Sequence, residues 1–274
     1  LHNVAHSFPT RRSSDLQPVA DDDLARIGTA LAARWQEVAP GQPLNWVFQC
    51  RGGGRAETRL MAGSVPDPHV VAEQGTHYRV HVAQGQNRGL FLDMAAGRQW
   101  VRQLAQARPG LTVLNLFAYT CAFSVVALQA GAAQVVNVDM SAGALATGRH
   151  NHALNGITGG ASFLAHDIFN SWGKLTRGGP YGLVVLDPPS HQKGSFTALK
   201  DYPRLLRRLP ALLAPGGHAL LCLNAPELGP AFLQDAMQAE APALQFVERL
   251  ANPPSFADVA PERALKVLVY RAAG

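Results

Sequence analysis

The stretch "VLNLFAYTCAFSVVALQAGAAQVVNVD", residues 113–139, joins two short apolar runs through a segment of helical character. Each run is continuously apolar, which indicates a strand that is buried on both faces. Strands that alternate with helices predict a parallel sheet covered by helices on both sides. The same alternation continues along the chain, and the seven predicted strands are residues 111–117, 133–139, 161–167, 181–187, 218–224, 244–250 and 264–271.

The connection between the last two predicted strands differs from the others. The segment "ANPPSFADVAPER", residues 251–263, has no helical periodicity, so no crossover helix fits there. A parallel connection needs such a crossover, and the last strand is therefore expected to be antiparallel. The predicted fold class is α/β, with a Rossmann-like, seven-stranded, mostly parallel sheet.

The segment before this sheet predicts a small α+β domain at residues 17–84, followed by the sheet domain at 85–274. A helix is predicted from Asp21 to Val38, with three aspartates at its start that favour it by dipole and by capping. Two hairpins follow, "LNWVFQC" with "RAETRLMA" and "HVVAEQ" with "HYRVHVA". The segment "HSFPTRRSSDL", residues 6–16, has no apolar periodicity and resembles a translated sequencing adapter, so residues 1–16 are expected to be a non-native assembly scar.

Composition bounds the class of protein. The chain has 274 residues, a net charge of +5 and a pI near 9.4, which favours a nucleic-acid partner or simply a basic soluble protein. No stretch approaches about 20 uninterrupted apolar residues, so no membrane span is expected. Three widely spaced cysteines, Cys50, Cys121 and Cys222, predict neither a metal site nor a disulfide framework. A cytoplasmic location is expected.

The ends of the predicted strands carry polar side chains. In an open α/β sheet, ligands bind past the carboxyl ends of the strands. The first four predicted strands place Asn115, Asp139, Asp167 and Asp187 at this edge. The G-x-G-x-x-G pattern of dinucleotide-binding proteins is missing after the first strand. Asp139 is expected to accept hydrogen bonds from the ribose of a nucleoside and Asp167 from an adenine amine, whereas helix capping is the competing role for Asp139.

Four segments carry a resemblance to a known family: "GLFLDMAAGRQWVR", "VLNLFAYTCAFSVVALQAGAAQVVNVDMS", "NHALNGI" and "DPPS". They resemble the class I S-adenosylmethionine-dependent methyltransferases that modify large-subunit ribosomal RNA in bacteria. The resemblance covers residues 89–271 and implies S-adenosylmethionine as cofactor and ribosomal RNA as partner. The cofactor-binding residues that it implies are Asn115, Phe117, Ala118, Thr120, Cys121, Asp139, Met140, Asp167, Ile168 and Asp187.

Cys121 departs from the family pattern, which has glycine at this point. In the family this glycine lets the backbone approach the methionine part of the cofactor. Cys121 adds a side chain there, which bears on cofactor affinity. It favours an alternative function, a catalytically inactive module that keeps the fold and binds RNA or a nucleotide.

The segment Asp187–Pro188–Pro189–Ser190 is the predicted catalytic turn. Proline fixes φ and has no N–H, so the chain turns rigidly away from the strand end. Carbonyl groups of such a turn can face a planar base, and Asp187 can accept a hydrogen bond from it. The family often has an aromatic residue where this chain has Ser190, so His191 or Phe196 is a candidate for stacking on the base.

The residue that ends the next predicted strand, residues 218–224, bears on which atom of the substrate accepts the methyl group. Transfer to cytosine C5 needs a cysteine nucleophile. The cytosine-modifying relatives have that cysteine where this chain has Asn224, whereas the guanine-N7-modifying relatives have asparagine. Cys222 is expected to pack in the core. The prediction is therefore transfer to a base nitrogen, with guanine favoured; a non-RNA acceptor is a further alternative. The predicted substrate-binding residues are Arg98, His191, Arg204, Arg207, Arg208 and Asn224.

Overall fold

A computed structural model of the chain describes residues 19–50, 57–83, 88–189, 191–192, 196–256 and 260–274. The predicted assembly scar at residues 1–16 lies outside these ranges. In the part of the chain that is described, no helix combines the length and the apolar character needed to cross a membrane.

The first elements are a helix and two strand pairs. The strands β1 and β2 pair antiparallel, with Phe48 opposite Arg59. Ala20 occupies the N-cap of α1 and no side chain caps the helix, so the three aspartates of its first turn favour the helix through its dipole and not by capping. The elements are α1 (Asp21–Val38), β1 (Trp46–Cys50), β2 (Glu57–Ala62), β3 (His69–Glu73) and β4 (Thr76–Val80).

The rest of the chain alternates strands and helices as predicted. The elements are α2 (Ala95–Ala107), β5 (Thr112–Leu116), α3 (Ala122–Gln129), β6 (Gln134–Asp139), α4 (Ala142–Leu154), β7 (Ala161–Ala165), α5 (Trp172–Arg177), β8 (Tyr181–Leu186), β9 (His191–Gln192), β10 (Phe196–Thr197), α6 (Ala198–Leu206), α7 (Leu209–Leu212), β11 (Leu213–Leu223), α8 (Pro230–Glu240), β12 (Gln245–Leu250) and β13 (Lys266–Arg271). Short 3-10 helices lie at Leu92–Met94, Ile168–Asn170 and Pro254–Phe256.

Seven strands form one sheet in the order β12-β13-β11-β8-β5-β6-β7. The strand β13 is antiparallel to both of its neighbours, and the remaining pairs are parallel. The predicted Rossmann-like sheet with an antiparallel last strand is therefore confirmed. The chain proceeds from β5 outward through β6 and β7 and then returns to the other side of β5 as β8. Because the strand order reverses at this point, a ligand crevice is expected between the loops that follow β5 and β8.

The strand β11 begins five residues before its predicted start. Leu213 pairs with Tyr181, and the register then shifts before His218 pairs with Leu183. Gly216 lies in this irregular stretch with a φ of +65°, a conformation that glycine adopts without steric cost. The Pro-Gly-Gly segment therefore interrupts the register within one long strand.

The two faces of the sheet have different cores. On one face, Leu114, Leu116 and Val184 pack with Leu205 of α6 and Leu233 of α8, and all five are buried. On the other face a buried polar chain runs from the sheet to the helices. Its hydrogen bonds join Asn115 to Asn137, Asn137 to Ser124 and Ser124 to His152.

The described residues divide into two compact units. One comprises Ala72–Tyr78 and Phe91–Gly274, and the other comprises residues 19–71 and 79–90. The division passes twice through the hairpin of β3 and β4, so each unit draws on more than one stretch of the chain. The predicted domain boundaries at residues 16/17 and 84/85 stay a prediction.

Candidate functional site

The loop between β5 and α3 has a left-handed backbone at three non-glycine residues. Phe117, Tyr119 and Cys121 have φ values of 57°, 45° and 62°. The amide of Ala118 donates to the carbonyl of Val138 at 3.0 Å, which fixes the loop against β6. Left-handed backbone costs about 1–3 kcal/mol at a non-glycine residue and persists where the surrounding structure imposes it, often at functional sites.

Asp139 holds this loop and the next helix together. Its Oδ2 accepts a hydrogen bond from the amide of Tyr119 at 2.8 Å, and its Oδ1 accepts one from the amide of Ser141 at 2.8 Å. Ser141, rather than Asp139, caps α4, because its hydroxyl accepts from the amide of Ala144 at 3.1 Å. Each carboxylate oxygen keeps further acceptor capacity, which ribose hydroxyls can use. Met140 lies beside it with 58% of its surface exposed.

Cys121 directs its thiol into the interior. The residue is fully buried and packs with Ala118 and Leu145. A Cβ placed on Gly148 of α4 would lie 2.5 Å from the Cys121 Sγ, so the thiol occupies the space that this glycine leaves. Burial raises the pKa of the Cys121 thiol well above its ordinary value.

The pairing of Cys121 with Gly148 predicts a stability effect. Gly148→Ala is expected to lower the free energy of unfolding by about 1–3 kcal/mol, the usual cost of overpacking a core. The additional change Cys121→Gly removes the sulfur and is expected to restore most of that loss. The measurement is urea denaturation of the single and double variants.

Gly143 provides the matched control on the same helix. A Cβ there has its nearest neighbour, Ser141 Oγ, at 3.9 Å, so Gly143→Ala is expected to be neutral or slightly stabilising. An equal cost of Gly148→Ala with and without Cys121→Gly would contradict the proposed contact.

The neighbouring strand end carries Asp167. The register pairs Asp139 with Ala165, and Asp167 follows two residues later. Its Oδ1 accepts from the amide of Phe169 at 2.8 Å, and its Oδ2 accepts from the Asn170 side chain at 2.7 Å. Asp167 therefore caps the 3-10 helix Ile168–Asn170, whose first residue is buried. This capping role leaves acceptor capacity on both oxygens.

Asp187 follows the central strand β8 between two other strand ends. Leu186 pairs with Leu116 on one side and with Leu221 on the other. The next residues, Asp187 and Cys222, are therefore neighbours, and the Cys222 thiol hydrogen-bonds to the Asp187 carboxyl group. Burial and then the nearby Asp93 raise the pKa of Asp187 to about 7. Pro188 is buried and Pro189 half-buried.

Arg98 is held in a buried ion pair. Its Nε and Nη2 donate to the two carboxylate oxygens of Glu73, each at 2.7 Å, and its Nη1 donates to the carbonyl of Phe91 at 2.9 Å. Only 2% of Arg98 is exposed, so these partners rather than an external ligand occupy most of its donors. Burial raises the pKa of Asp93, whereas Arg98 lowers it. Sequence reasoning assigned no role to Asp93 or Glu73, although Asp93 lies within the "GLFLDMAAGRQWVR" segment.

The three arginines of the α6 region are all exposed but differ in their partners. Arg204 Nη1 donates to Asp201 at 2.7 Å. Arg207 makes two hydrogen bonds to Glu240, at 2.6 and 2.9 Å. The Arg208 guanidinium lies over the Trp172 ring, with Cζ 5.6 Å from its centroid.

The remaining predicted residues fall into two groups. Asn224 is exposed directly after β11. Ser190 and the side chain of His191 lie outside the described residues. Phe196 is buried, with its ring centroid 5.5 Å from that of Phe117 in an edge-on contact. A buried ring in the core cannot present its face to a base, so the suggestion of Phe196 as a stacking residue is not supported by its position.

The loop and the two strand ends fit a cofactor that contains a nucleoside. The Asn115 amide nitrogen donates to Asn137 at 2.9 Å, while its oxygen is buried and has no partner in the described part of the chain. An unpaired buried acceptor is costly unless a ligand donor reaches it. Thr120, also buried, offers its carbonyl to the Asn151 side chain at 2.9 Å. Among the described residues, no three His, Cys, Asp or Glu side chains are arranged to hold a metal ion.

Known proteins match this chain in sequence and in fold. "Ribosomal RNA large subunit methyltransferase I" of Aeromonas salmonicida is 34% identical over 201 residues, 70% of this chain and 49% of that protein. "Ribosomal RNA large subunit methyltransferase K/L" of a Psychrobacter species is 36% identical over 171 residues, 60% of this chain and 21% of that protein. The chain thus spans about half the length of the first relative and about a fifth of the second.

A solved S-adenosylmethionine-dependent methyltransferase from Streptococcus mutans shares the fold, with a TM-score of 0.79 and 24% identity over 91% of this chain and 66% of that chain. The sequence model of the S-adenosylmethionine-dependent methyltransferases matches residues 13–271. This match confirms the predicted cofactor. The chain belongs to the family of S-adenosylmethionine-dependent methyltransferases.

Proposed function

We propose that this protein transfers a methyl group from S-adenosylmethionine to a base nitrogen, with guanine favoured, in large-subunit ribosomal RNA. The names of the Aeromonas and Psychrobacter relatives support ribosomal RNA as the acceptor. The basic character of the chain, with a net charge of +5, is consistent with a polyanionic substrate. The reaction would take place in the cytoplasm, where ribosomes are assembled.

The preference for nitrogen rests on one observation, the absence of a usable nucleophile at the end of β11. Asn224 stands exposed at the position where cytosine-modifying relatives have cysteine. Cys222 is fully buried, and burial together with Asp187 raises the pKa of its thiol well above the ordinary value. A thiol in this state provides almost no thiolate to attack a pyrimidine ring. A base nitrogen with its own lone pair needs no covalent catalyst.

The cofactor-binding roles follow the order of the strand ends. When bound, S-adenosylmethionine supplies a methyl group that is activated by its positively charged sulfur. Asp139 is assigned to the ribose hydroxyls, Asp167 to the adenine, and the Asn115 amide oxygen to a donor of the cofactor. The left-handed backbone of residues 117–121 brings main-chain groups close to the methionine part.

Asp187 and Asn224 are assigned to the acceptor base. In its ionised form, Asp187 accepts a hydrogen bond from an N–H of the base, and the two prolines keep the turn rigid. The Asn224 amide offers both a donor and an acceptor to the base edge. Arg98 is proposed to position the Asp93–Asp187 pair through its charge rather than to touch the substrate. Catalysis is then mainly the alignment of the methyl group with the nitrogen.

An inactive RNA-binding module is the competing function. Cys121 was the feature that favoured it, because a side chain there would meet the cofactor. The thiol instead packs against Leu145 and Gly148, away from the loop surface. This orientation supports the transferase rather than the inactive module.

The proposed function is tested with labelled S-adenosylmethionine and fragments of large-subunit ribosomal RNA. Methylated guanosine in the digested RNA, identified by mass spectrometry, is the expected result. Label in protein or in free amino acids, with none in RNA, would show that the acceptor is wrong. Cofactor binding without any transfer would favour the inactive module.

The buried state of Cys222 predicts that no covalent protein–RNA intermediate forms. Cys222→Ala is expected to retain methyl transfer within about tenfold, with a modest loss of stability from the smaller side chain. The measurement is transfer by the variant together with a trapping experiment on RNA that contains 5-fluorocytosine. A trapped adduct that disappears in Cys222→Ala would overturn the assignment.

A further inference from the structure

Two aromatic rings and two arginines form a stacked surface next to the predicted adenine site. The rings of Phe169 and Trp172 meet edge-on, with centroids 6.3 Å apart. Arg204 lies over Phe169, with Cζ 4.2 Å from the ring centroid, and Arg208 lies over Trp172 at 5.6 Å. These four residues, with the exposed Lys174 and Arg177 of α5, are called here the arginine–aromatic surface.

This surface carries uncompensated positive charge. Within the described residues, Arg177 and Arg208 have no hydrogen-bond or ion-pair partner in the chain. The Lys174 Nζ lies 3.3 Å from the ring nitrogen of His166, which brings no negative charge. Only Arg204 has a carboxylate partner, Asp201 at 2.7 Å. Like charges on one surface oppose each other, so their clustering indicates an anionic partner rather than a contribution to folding.

The geometry of the surface indicates what kind of anion it fits. Arg204 and Arg208 each make a cation–π contact and are exposed, so part of each guanidinium group is available to a ligand. A nucleic-acid base can stack on an exposed guanidinium plane, while the N–H groups at the edge can reach phosphate oxygens. A carboxylate can use the charge but has no large planar face to stack. The alternation of rings and guanidinium groups therefore favours RNA over an acidic protein segment.

The position of the surface relates it to the proposed acceptor site. Phe169 lies two residues after Asp167, which follows β7 at the carboxyl edge of the sheet, and its ring contacts Arg204 of α6. Trp172, the first residue of α5, contacts Arg208, which lies two residues after the end of α6. A target nucleotide at this edge is attached to flanking nucleotides on both sides. One of the two flanking segments can reach the arginine–aromatic surface directly from the strand ends.

We infer that the arginine–aromatic surface binds the single-stranded RNA segment that flanks the target nucleotide, a role that rests on the proposed function. Bases stack on the guanidinium planes of Arg204 and Arg208, and phosphates contact Arg208, Arg177 and Lys174. Arg207 is excluded from this surface, because Glu240 holds its guanidinium through two hydrogen bonds of 2.6 and 2.9 Å. The same contact lowers the pKa of Glu240.

The experiment compares two adjacent arginines. The probe is a fluorescein-labelled single-stranded RNA of about 12 nucleotides, and binding is followed by anisotropy across a range of salt concentrations. Arg208→Ala is expected to weaken binding about fivefold to tenfold and to lower the slope of log K against log salt by about 0.7. Arg207→Ala removes the same formal charge but is expected to change the affinity less than about twofold, since that charge is already paired.

A second variant separates stacking from charge. Arg208→Lys keeps the charge but loses the planar group, so the salt slope is expected to stay near its original value while the affinity falls about threefold. Thermal unfolding of each variant controls for folding. The inference would be overturned by equal effects of Arg207→Ala and Arg208→Ala, by no effect of Arg208→Ala, or by polyglutamate that competes as strongly as unlabelled RNA.

The two proposals fail in different ways. If the protein methylates ribosomal RNA but Arg208→Ala does not change its RNA affinity, the proposed function is supported and the proposed role of the arginine–aromatic surface is contradicted. If RNA binding depends on Arg208 but no methyl group is transferred to ribosomal RNA, the proposed role of the surface is supported and the proposed function is contradicted.

Discussion

Asp187→Ala is expected to reduce methyl transfer to ribosomal RNA by at least about 10³-fold, because alignment and hydrogen bonding of the acceptor base both depend on this carboxyl group. Binding of RNA is expected to change little, since Asp187 makes no contact with phosphates in the proposed arrangement. Single-turnover transfer with saturating cofactor, together with separate binding measurements, checks the prediction. A transfer rate within tenfold of the original would exclude a catalytic role for Asp187.

The same carboxyl group predicts how activity depends on pH. Burial and Asp93 raise the pKa of Asp187 to about 7, and the ionised form is the stronger hydrogen-bond acceptor for a base N–H. The single-turnover rate is therefore expected to rise with pH through about 7 and then to level off. Asp187→Asn should be slow at every pH and lose this dependence. A profile in the Asp187→Asn protein that still rises through pH 7 would assign the titration to another group.

Ionisation of Asp187 is expected to lower the stability of the protein, although it raises the activity. A carboxyl group whose pKa is raised on folding binds more protons in the folded state between pH 3.8 and about 7, so the free energy of unfolding falls as pH rises through this window. Asp187→Asn removes the charge and is expected to raise the free energy of unfolding at pH 8 by about 1–2 kcal/mol. The effect is no larger because Asp187 is partly exposed and solvent screens its charge. Near pH 4 the two proteins should differ much less. Urea denaturation at both pH values is the measurement.

Asp139→Ala is expected to weaken binding of S-adenosylmethionine roughly 100-fold, or about 3 kcal/mol. Each of its two oxygens is free to accept one hydrogen bond from a ribose hydroxyl, and a hydrogen bond to a charged group contributes about 1.5–3 kcal/mol. The variant also leaves the amides of Tyr119 and Ser141 without their acceptor, which loosens the left-handed loop. Isothermal calorimetry with S-adenosylmethionine measures the change.

Two further variants separate the roles of Asp139. Asp139→Asn keeps one acceptor oxygen, so its affinity should fall between those of the original protein and Asp139→Ala. Asp22→Ala removes an exposed carboxylate of α1 and serves as the charge-matched control, with no expected change. Unchanged affinity for S-adenosylmethionine in a folded Asp139→Ala protein would contradict the assignment of Asp139 to the ribose.

The order of the strands could be predicted in outline because it depends on local patterns. Continuous apolar runs specify the positions of strands, although the edge strand β12 is mostly exposed rather than buried. The missing helix in residues 251–263 specifies that the last strand reverses. Both features were confirmed by the seven-stranded sheet. The alignment of Asp139, Asp167 and Asp187 at one edge follows from the same pattern, because parallel strands place their carboxyl ends together. Asn115 was expected at this edge but lies inside β5, level with Asn137.

The direction of the Cys121 side chain could not be predicted in the same way. Its thiol packs against Gly148, a residue 27 positions later that belongs to another helix. The sequence indicates that a residue replaces glycine, but not on which side of the loop its side chain lies. That side is decided by a φ of 62° and by the space beside α4.

The partners of the arginines could not be predicted from the sequence either. Arg207 and Arg208 are adjacent and identical in type, yet only Arg207 meets Glu240, 33 residues away. Arg98 was expected to contact substrate, and its bidentate partner Glu73 lies 25 residues earlier in a hairpin strand. Whether an arginine is already paired with a carboxylate or is available to a ligand depends on which distant carboxylate the packing brings within hydrogen-bond distance.

The sequence by itself determined the class of fold, the edge of the sheet that carries the candidate site, and the residue types available there. Those properties follow from hydrophobic periodicity and strand order, which are written in short stretches of the chain. Only the tertiary structure decided that Asp187 adjoins Cys222 and Asp93, that the Cys121 thiol is internal, and that Arg208 rather than Arg207 is available to a partner. These properties depend on strand register, burial and long-range charge pairs, and their energies exist only once distant segments are packed together.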